Sequence, residues 1–395
     1  MPEWLNELLP IVILLAAVSL VIARLPKVEG LDYTDAFRRR RVLNWVPLGL
    51  TYAFLYMGRY NLKVAQGAFG NIQDAAGSPM MTNAGFATIF MVGTIVYGVS
   101  FVINGPLTDR YGGKRAMQVG CAGAALMNGL MGLCTWIVLN DGPGAGLVAD
   151  HFLVVFSVLY AVNMYFQSFG AVAIVKVNAP WFHVRERGVI GAVFGILISL
   201  GIYFAFDWSK VVLKLLPLEW VFLVPAIILA AFWIVDWFVV QDRPSLAGHP
   251  DIELGDATSG DTGPQKGAVE VFGMMLRNPI IMTIACIEFC SGFLRQAIMQ
   301  WYPSFAKQTD GVLGLKEEFF NKNWGILLCC AGIMGGVIAG VISDRVFGSR
   351  RGPVAGILYV VLLAGSIVLS FAYATPAVGY LVVFLSLAVI GVHRM

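Results

Sequence analysis

The sequence predicts an all-α protein that crosses a membrane many times. Of its 395 residues, 58% are hydrophobic and only 13% are charged, whereas soluble domains are about 25% charged. The mean hydropathy is +0.75, and apolar runs of about 20 residues recur along the chain. Because lipid cannot hydrogen-bond to free backbone groups, each of these runs is expected to form a helix.

Eleven apolar segments are predicted, and the first stands apart from the other ten. It follows acidic residues and precedes Arg24 and Lys27, which is the reverse of the flanks of a cleavable signal peptide. We therefore expect residues 1–30 to contain an additional anchor helix that is retained. The approximate positions of the segments are 8–25, 44–63, 84–104, 116–139, 152–174, 188–207, 217–240, 279–301, 324–343, 353–373 and 378–393.

The charges in the connecting loops predict the topology. Alternate loops carry sixteen Lys and Arg residues on one side and six on the other. The richer set, which includes Arg38–Arg41, is expected to face the cytoplasm, and the poorer set, which includes Lys63, the outside. These features predict a multi-pass integral protein of a bacterial cytoplasmic (inner) membrane. Its surroundings are the lipid bilayer, and no nucleic-acid partner is expected.

The longest hydrophilic break divides the chain into two halves. It contains SLAGHPDIELGDATSGDTGPQKG, which is rich in Gly, Asp, Ser and Pro and typical of a flexible linker. We expect residues 31–240 to form an N-terminal half of six helices and residues 241–278 to form a cytoplasmic linker. Residues 279–395 are expected to form a partial C-terminal half of four helices.

The sequence contains no recognisable catalytic or metal-binding motif. Its six cysteines lie in apolar segments without metal-ligand or disulfide spacing, and its four histidines are scattered. No nucleophile elbow or zinc-protease helix is present. We therefore expect neither an enzyme nor a bound metal or cofactor.

An internal repeat relates two intramembrane arginines. GPLTDRYGGKR in the first half is similar to GVISDRVFGSRR in the second. Arg59 precedes Asp109 by 50 residues, and Arg295 precedes Asp344 by 49. Such parallel repeats are typical of transporters that bind their substrate at the repeat interface. An arginine at the centre of a membrane helix costs about 2.5–3.5 kcal/mol on insertion scales. Snorkelling to the outer interface could explain either residue alone, but matched placement in both halves favours a joint functional role.

Several motifs carry a family resemblance that covers about residues 36–395. GPLTDRYGGKR resembles the signature loop of the major facilitator superfamily. TYAFLYMGRYNL resembles the first helix of the organophosphate:phosphate antiporters of that superfamily, and FLRQAIMQWYPSF resembles their seventh helix. FQSFG and RERG resemble their fourth helix and the loop that follows it. The matching residues of the first and seventh helices are Tyr52, Tyr56, Arg59, Asn61, Arg295, Trp301 and Pro303.

The resemblance implies a fold and an activity. The fold would be the major facilitator fold, with two pseudo-symmetric helical halves, an extra N-terminal helix and the last two of twelve helices missing. The activity would be exchange of a phosphorylated metabolite, such as glycerol-3-phosphate or a sugar phosphate, for inorganic phosphate by alternating access in a monomer. Phe101 and Ile198 stand where glycerol-3-phosphate transporters have a lysine and a histidine, which leaves the organic part of the substrate open.

The predicted binding residues are those that can hold a phosphate dianion. Arginine keeps its charge at any relevant pH and presents a planar fork of donors to phosphate oxygens. Tyr52, Tyr56 and Arg59 share one helix face because their spacing is i, i+4, i+7. Glu288 lies two turns before Arg295, where it could pair with a cation, accept a proton or neutralise the arginine. The predicted substrate-binding residues are Arg59, Arg295, Tyr52, Tyr56, Asn61, Glu288 and Gln300.

The repeated loops are expected to act in the conformational change. By family resemblance, their acidic residues would lock the cytoplasmic ends of helices through helix-end and arginine contacts. The residues concerned are Asp109, Arg110, Gly112, Arg115, Asp344 and Arg345.

Three alternatives remain open at this point. The protein could be a membrane sensor for a sugar phosphate, because the family includes a receptor that signals. It could be a proton-coupled organic-anion symporter that uses Glu288. It could also be an incomplete chain without transport activity.

Overall fold

The computed structural model describes residues 33–73, 77–252, 268–316, 319–348 and 350–393, together with a few positions between 8 and 19. The predicted anchor helix at 8–25 falls almost entirely outside the described residues. The side chain of Asp344 is also outside them. Within the described residues the chain is helical, and its only β-type pairing is an isolated bridge between Gln73 and Pro79. The chain forms two compact units, Met1–Asp256 and Ala257–Met395.

In the described part of the first unit, six long helices form a bundle. The six helices are α1 (Asp35–Phe69), α2 (Asn83–Tyr111), α3 (Gly113–Leu139), α4 (Phe152–Asn178), α5 (Val184–Tyr203) and α6 (Trp220–Val239). Helix α5 continues through a π-helical turn, Phe204–Trp208, into Ser209–Leu215.

In the described part of the second unit, four long helices follow a short helix, Ala268–Arg277. They are α7 (Pro279–Gln308), α8 (Trp324–Val346), α9 (Arg351–Ala372) and α10 (Val378–His393). Each of the ten apolar segments predicted from residue 44 onward therefore contributes to a helix, and the all-α prediction is confirmed.

The surface of these helices is that of a membrane protein. Within the described residues, eight helical stretches are long and apolar enough to cross a bilayer. Large apolar side chains such as Ile95, Val99 and Val158 are exposed. Helix α1 is not among the eight stretches, although its 35 residues span about 52 Å. Many of its polar side chains, including Arg59 and Asn61, are buried inside the bundle instead of facing outward.

The helices begin where the sequence supplies capping residues. The Thr34 side chain accepts a hydrogen bond from the backbone nitrogen of Phe37 at the start of α1, and Thr82 does the same for Gly85 at the start of α2. Asn278 accepts from two backbone nitrogens at the start of α7, where Pro279 occupies the first helical position. These are the residue types that compensate free amides at helix N-termini.

Helix α3 is capped by a residue from a distant part of the chain. Asp242, which follows α6, accepts a hydrogen bond from the backbone nitrogen of Lys114 at 2.7 Å. The preceding Gly112 has a φ of 91°, and a Cβ atom there would lie 2.8 Å from Oδ2 of Asp242. Glycine is therefore required at this position both by its backbone conformation and by the close carboxylate. The carboxylate also interacts favourably with the positive end of the helix dipole.

Candidate functional site

Arg59 lies inside the first unit and is covered by aromatic rings. It is 4% exposed. Its guanidinium carbon lies 4.6 Å from the ring centroid of Tyr56, 4.4 Å from that of Tyr97 on α2 and 6.0 Å from that of Tyr60. Cations at these distances are attracted by the electron-rich faces of aromatic rings. The rings therefore stabilise the charge of Arg59 without cancelling it.

The Arg59 side chain donates hydrogen bonds to a neutral amide. Arg59 donates from Nε and from Nη2 to Oε1 of Gln167 on α4, at 3.4 and 3.3 Å. Both hydrogen bonds are long because the two donors share one acceptor oxygen. Among the described residues, no carboxylate forms an ion pair with Arg59. The guanidinium group is therefore held in one orientation, and no carboxylate in this part of the chain compensates its positive charge.

The structure groups the two predicted tyrosines with Arg59. The rings of Tyr52 and Tyr56 meet edge to face, with centroids 5.4 Å apart, and Tyr56 in turn lies against the guanidinium. Both tyrosines are buried. They share a face of α1, as their spacing predicts, and their role as substrate ligands remains a prediction.

The backbone turn that carries Arg59 is held by three side chains. Asn128 on α3 and Asn163 on α4 each donate to the carbonyl oxygen of Gly58, both at 3.1 Å. The hydroxyl of Tyr160 on α4 donates to the carbonyl oxygen of Arg59 at 3.0 Å. A Cβ atom on Gly58 would lie 2.9 Å from Nδ2 of Asn128. Glycine therefore permits the close approach of α3 to α1 at this turn.

Asn61 has a structural role in this bundle. It is fully buried, and its Nδ2 donates to Oδ1 of Asn128 at 2.9 Å and to the carbonyl oxygen of Val221 at 3.0 Å. These bonds join α1 to α3 and α6. The contacts of Asn61 therefore differ from those of the tyrosines, which lie beside Arg59, and its role as a substrate ligand remains a prediction.

Two cations that were assigned to loops are buried side chains of α1. Lys63 is 6% exposed. It donates to Oε1 of Gln66 at 2.7 Å and lies 4.4 Å from the ring centroid of Phe86. Arg41 forms a 3.1 Å ion pair with Glu186, and both side chains are buried. The loop prediction was wrong for these residues because α1 extends well beyond its apolar segment at both ends.

Tyr33 adds a hydrogen bond to the ion pair near the N-terminus of α1. Its hydroxyl donates to Oε2 of Glu186 at 3.1 Å, and its ring lies 4.8 Å from the guanidinium carbon of Arg41. Burial, and then the adjacent Glu186 carboxylate, raise the pKa of Tyr33 to about 12. The phenol therefore remains a hydrogen-bond donor at neutral pH.

In the second unit, α7 carries the other predicted binding residues. Nε of Arg295 and both polar atoms of the Gln300 amide are buried without a hydrogen-bond partner among the described residues. Buried polar groups are usually paired, so these atoms are candidates for contacts with a ligand. Glu288 is exposed within this unit, and its Oε2 accepts a 3.4 Å bond from Ser291.

The signature-loop residues have mixed surroundings. Asp109 forms a 2.6 Å ion pair with Lys176 of α4. The guanidinium carbon of Arg110 lies 5.6 Å from the ring centroid of Tyr111. Arg115 and Arg345 are exposed. Asp242, which was not predicted, is the residue that caps the N-terminus of helix α3. Asp344 contributes backbone to α8.

Five site residues were not predicted from the sequence, and a signal for three of them was present. Tyr160, Asn163 and Gln167 are polar residues of an otherwise apolar segment, spaced so that they share a face of α4. Buried amides within a membrane helix are costly and mark interior contacts. Tyr97 and Asn128 carried no comparable signal. Among the described residues, no cluster of acidic, histidine or cysteine side chains could hold a metal ion.

A multi-pass helical bundle with an uncompensated arginine buried among its helices is typical of a membrane carrier of anions. Residues 11–394 match the family model of the Major Facilitator Superfamily. The chain belongs to this superfamily and is an integral, multi-pass protein of the inner membrane, as predicted.

The relatives of the chain are members of the organophosphate:phosphate antiporter family. The glycerol-3-phosphate transporter of Bacillus subtilis is 26% identical over 360 residues, which cover 85% of this chain and 72% of that protein. The membrane sensor protein UhpC of Salmonella typhimurium is 24% identical, over 85% of this chain and 73% of that protein. A bacterial homologue of the human lysosomal transporter Spinster has a similar fold, with a TM-score of 0.61 and 12% identity over 92% of this chain and 74% of that one.

Proposed function

We propose that the protein is a secondary transporter that exchanges a phosphorylated metabolite for inorganic phosphate by alternating access. The observation that carries this proposal is the state of Arg59. It is buried, fixed by a neutral amide and by aromatic rings, and not paired with a carboxylate among the described residues. Such a cation binds an anionic ligand without first breaking an internal ion pair. No covalent step is required of the protein.

Phosphate is the anion that best fits this site. The guanidinium group presents parallel N–H donors that match two oxygens of a phosphate. The named activities of several relatives involve phosphate esters: glycerol-3-phosphate for the protein of Bacillus subtilis and hexose phosphate for a transport protein of Chlamydia pneumoniae. Arg295 holds the corresponding position in the sequence repeat, and we propose it as the second cation for the substrate.

The same charge favours exchange over net transport. When the carrier is empty, Arg59 is a buried cation with no counter-charge among the described residues, and such a group costs several kcal/mol when it is removed from water. A bound phosphate group supplies the counter-charge. Reorientation is therefore expected to be fast when the site is loaded and slow when it is empty, which couples the exit of one anion to the entry of another.

The organic part of the substrate is expected to meet aromatic side chains. Tyr97, whose ring covers Arg59, contacts Phe101 edge to face with centroids 4.7 Å apart. Phe101 stands where the resemblance implies a lysine. An aromatic residue here removes a cation from the neighbourhood of Arg59, so the preferred substrate should carry its negative charge on a single phosphoryl group.

A sensor of phosphorylated metabolites is the second candidate, and it is favoured by the similarity to UhpC. A sensor and a carrier share binding residues, so only flux separates them.

Purified protein should be reconstituted into liposomes that contain radiolabelled phosphate. The proposed function predicts that external phosphate, glycerol-3-phosphate or a hexose phosphate releases the label, while buffer without them does not. Binding of these ligands without release would instead indicate a sensor. Release driven by a pH gradient alone would indicate the proton-coupled alternative.

A further inference from the structure

We propose that Gln167 is a positioning residue that determines which edge of Arg59 meets the substrate phosphate. The proposal rests on the proposed function, because it concerns the same site. It adds that phosphate binds end-on, to the two terminal nitrogens of Arg59. It also assigns a separate task to a residue of α4 that does not itself need to touch the substrate.

The directions of the hydrogen bonds identify the edge that is used. A guanidinium group has five N–H donors, which lie in one plane and form a side-on edge and an end-on edge. The bonds from Nε and Nη2 to Gln167 occupy the side-on edge. The rings of Tyr56 and Tyr97 lie within 4.6 Å of the guanidinium carbon. The end-on edge, formed by Nη1 and Nη2, is the one that the bonds to Gln167 leave for two phosphate oxygens.

The amide of Gln167 is itself held in one orientation. Gln167 is fully buried, and its Nε2 donates to Oδ1 of Asn163 at 3.5 Å. Asn163 also donates to the carbonyl oxygen of Gly58. With Nε2 engaged in this way, Oε1 is the atom of the amide that faces Arg59. Helix α4 therefore fixes both the backbone turn and the side chain of Arg59.

A neutral acceptor is the chemistry that this task requires. An ionised glutamate at position 167 would orient Arg59 equally well, but its negative charge would neutralise the guanidinium group and repel a phosphate at the adjacent edge. Glutamine accepts the same two hydrogen bonds and leaves the full charge for the ligand. This distinction between glutamine and glutamate gives the proposal a test that a purely structural role of Gln167 would not satisfy.

The test is a double-mutant cycle on the full chain. Dissociation constants for inorganic phosphate should be measured for the native protein, Gln167→Met, Arg59→Lys and the double variant, together with the KM and kcat of phosphate exchange. Loss of a hydrogen bond to a charged group corresponds to about 10- to 100-fold in binding. We expect Gln167→Met to raise the Kd and KM by this amount, with kcat changed less than threefold. In the Arg59→Lys background the same change should alter Kd less than threefold, because a lysine ammonium has no edge to orient.

Gln167→Glu and Ser168→Ala complete the design. Gln167→Glu keeps the size and the acceptor, so it remains informative if Gln167→Met does not fold, and it should weaken phosphate binding at least tenfold. Ser168 is the next residue of α4, is fully buried and bonds to Asn104 instead of Arg59. Ser168→Ala should leave Kd and KM within twofold of the native values.

The outcomes separate this proposal from the proposed function. If the native chain neither binds nor exchanges phosphate, the proposed function and the role of Gln167 both fail. If the native chain binds phosphate and the effects of Gln167→Met and Arg59→Lys are additive, only the role of Gln167 is overturned. Native-like phosphate affinity in Gln167→Glu would also overturn it.

Discussion

Tyr97 of α2 lies over Arg59 of α1, with its ring centroid 4.4 Å from the guanidinium carbon. The contact joins two helices at the proposed phosphate site and involves a residue that no sequence motif identified. Such a contact, when desolvated, contributes up to about 2 kcal/mol.

This relationship predicts that the ring of Tyr97 matters for phosphate binding. Tyr97→Phe keeps the aromatic face, and we expect a Kd for phosphate within about threefold of the native value. Tyr97→Leu removes the face and should weaken binding by up to about 30-fold, as the loss of about 2 kcal/mol implies. Equilibrium binding of radiolabelled phosphate to purified protein measures both. Equal affinities of the Phe and Leu variants would show that the ring is not involved.

Gly58 is predicted to be intolerant of a side chain. A Cβ atom there would lie 2.9 Å from Nδ2 of Asn128, so Gly58→Ala must displace a residue that holds the Arg59 turn. We expect a loss of about 1–3 kcal/mol of stability, measured as a lower melting temperature in detergent. Gly67→Ala is the matched control on the same helix, because a Cβ at Gly67 meets nothing within 4 Å. A native-like melting temperature for Gly58→Ala would contradict the described packing.

Two ion pairs of the first unit should differ greatly in their contribution to stability. Arg41 and Glu186 are both buried, whereas Asp109 and Lys176 are exposed. Glu186→Gln leaves Arg41 as an uncompensated buried charge and should cost about 3–5 kcal/mol. Asp109→Asn should cost less than about 1 kcal/mol. Thermal unfolding of both variants checks the order, and a larger loss for Asp109→Asn would refute it.

The hydroxyl of Tyr33 predicts a pH dependence of stability in alkali. Its pKa rises from the ordinary tyrosine value of 10.0 to about 12 in the folded protein, mainly through burial and then through Glu186. The unfolded chain therefore loses this proton first, so the stability contribution is complete below pH 10.0 and declines as the pH rises toward 12. Tyr33→Phe should remove this part of the decline. Melting temperatures of both proteins across this range, if they fall in parallel, would exclude the effect.

The sequence was sufficient to predict the helices and the position of Arg59 within one of them. It was not sufficient to predict which residues of other helices contact Arg59. Apolar segments define membrane helices because the bilayer sets their length, and helical spacing places Tyr52, Tyr56 and Arg59 on one face. Spacing does not reveal which other helix covers that face. Gln167 is 108 residues from Arg59, and its contact with Arg59 depends on the packing of α4 against α1.

The ends of helices were also beyond sequence analysis. The sequence predicts loop positions for Lys63 and Arg41 because charged residues usually mark the ends of membrane segments. Both side chains are instead buried on the long helix α1. Asp242 lies in the predicted linker, and its contact with the first turn of α3 depends on the tertiary arrangement of α3 and α6. In each case packing, not local propensity, determined the outcome.

The central claim is that Arg59 is the cation that binds phosphate. Its most direct test is the Kd of purified protein for radiolabelled phosphate, compared among the native chain, Arg59→Lys and Arg243→Lys. Arg243 is exposed and lies after α6, so its substitution controls for the loss of an arginine elsewhere. The account predicts at least tenfold weaker binding for Arg59→Lys, because a lysine cannot offer two parallel donors, and no change for Arg243→Lys. Native affinity in Arg59→Lys would contradict the account.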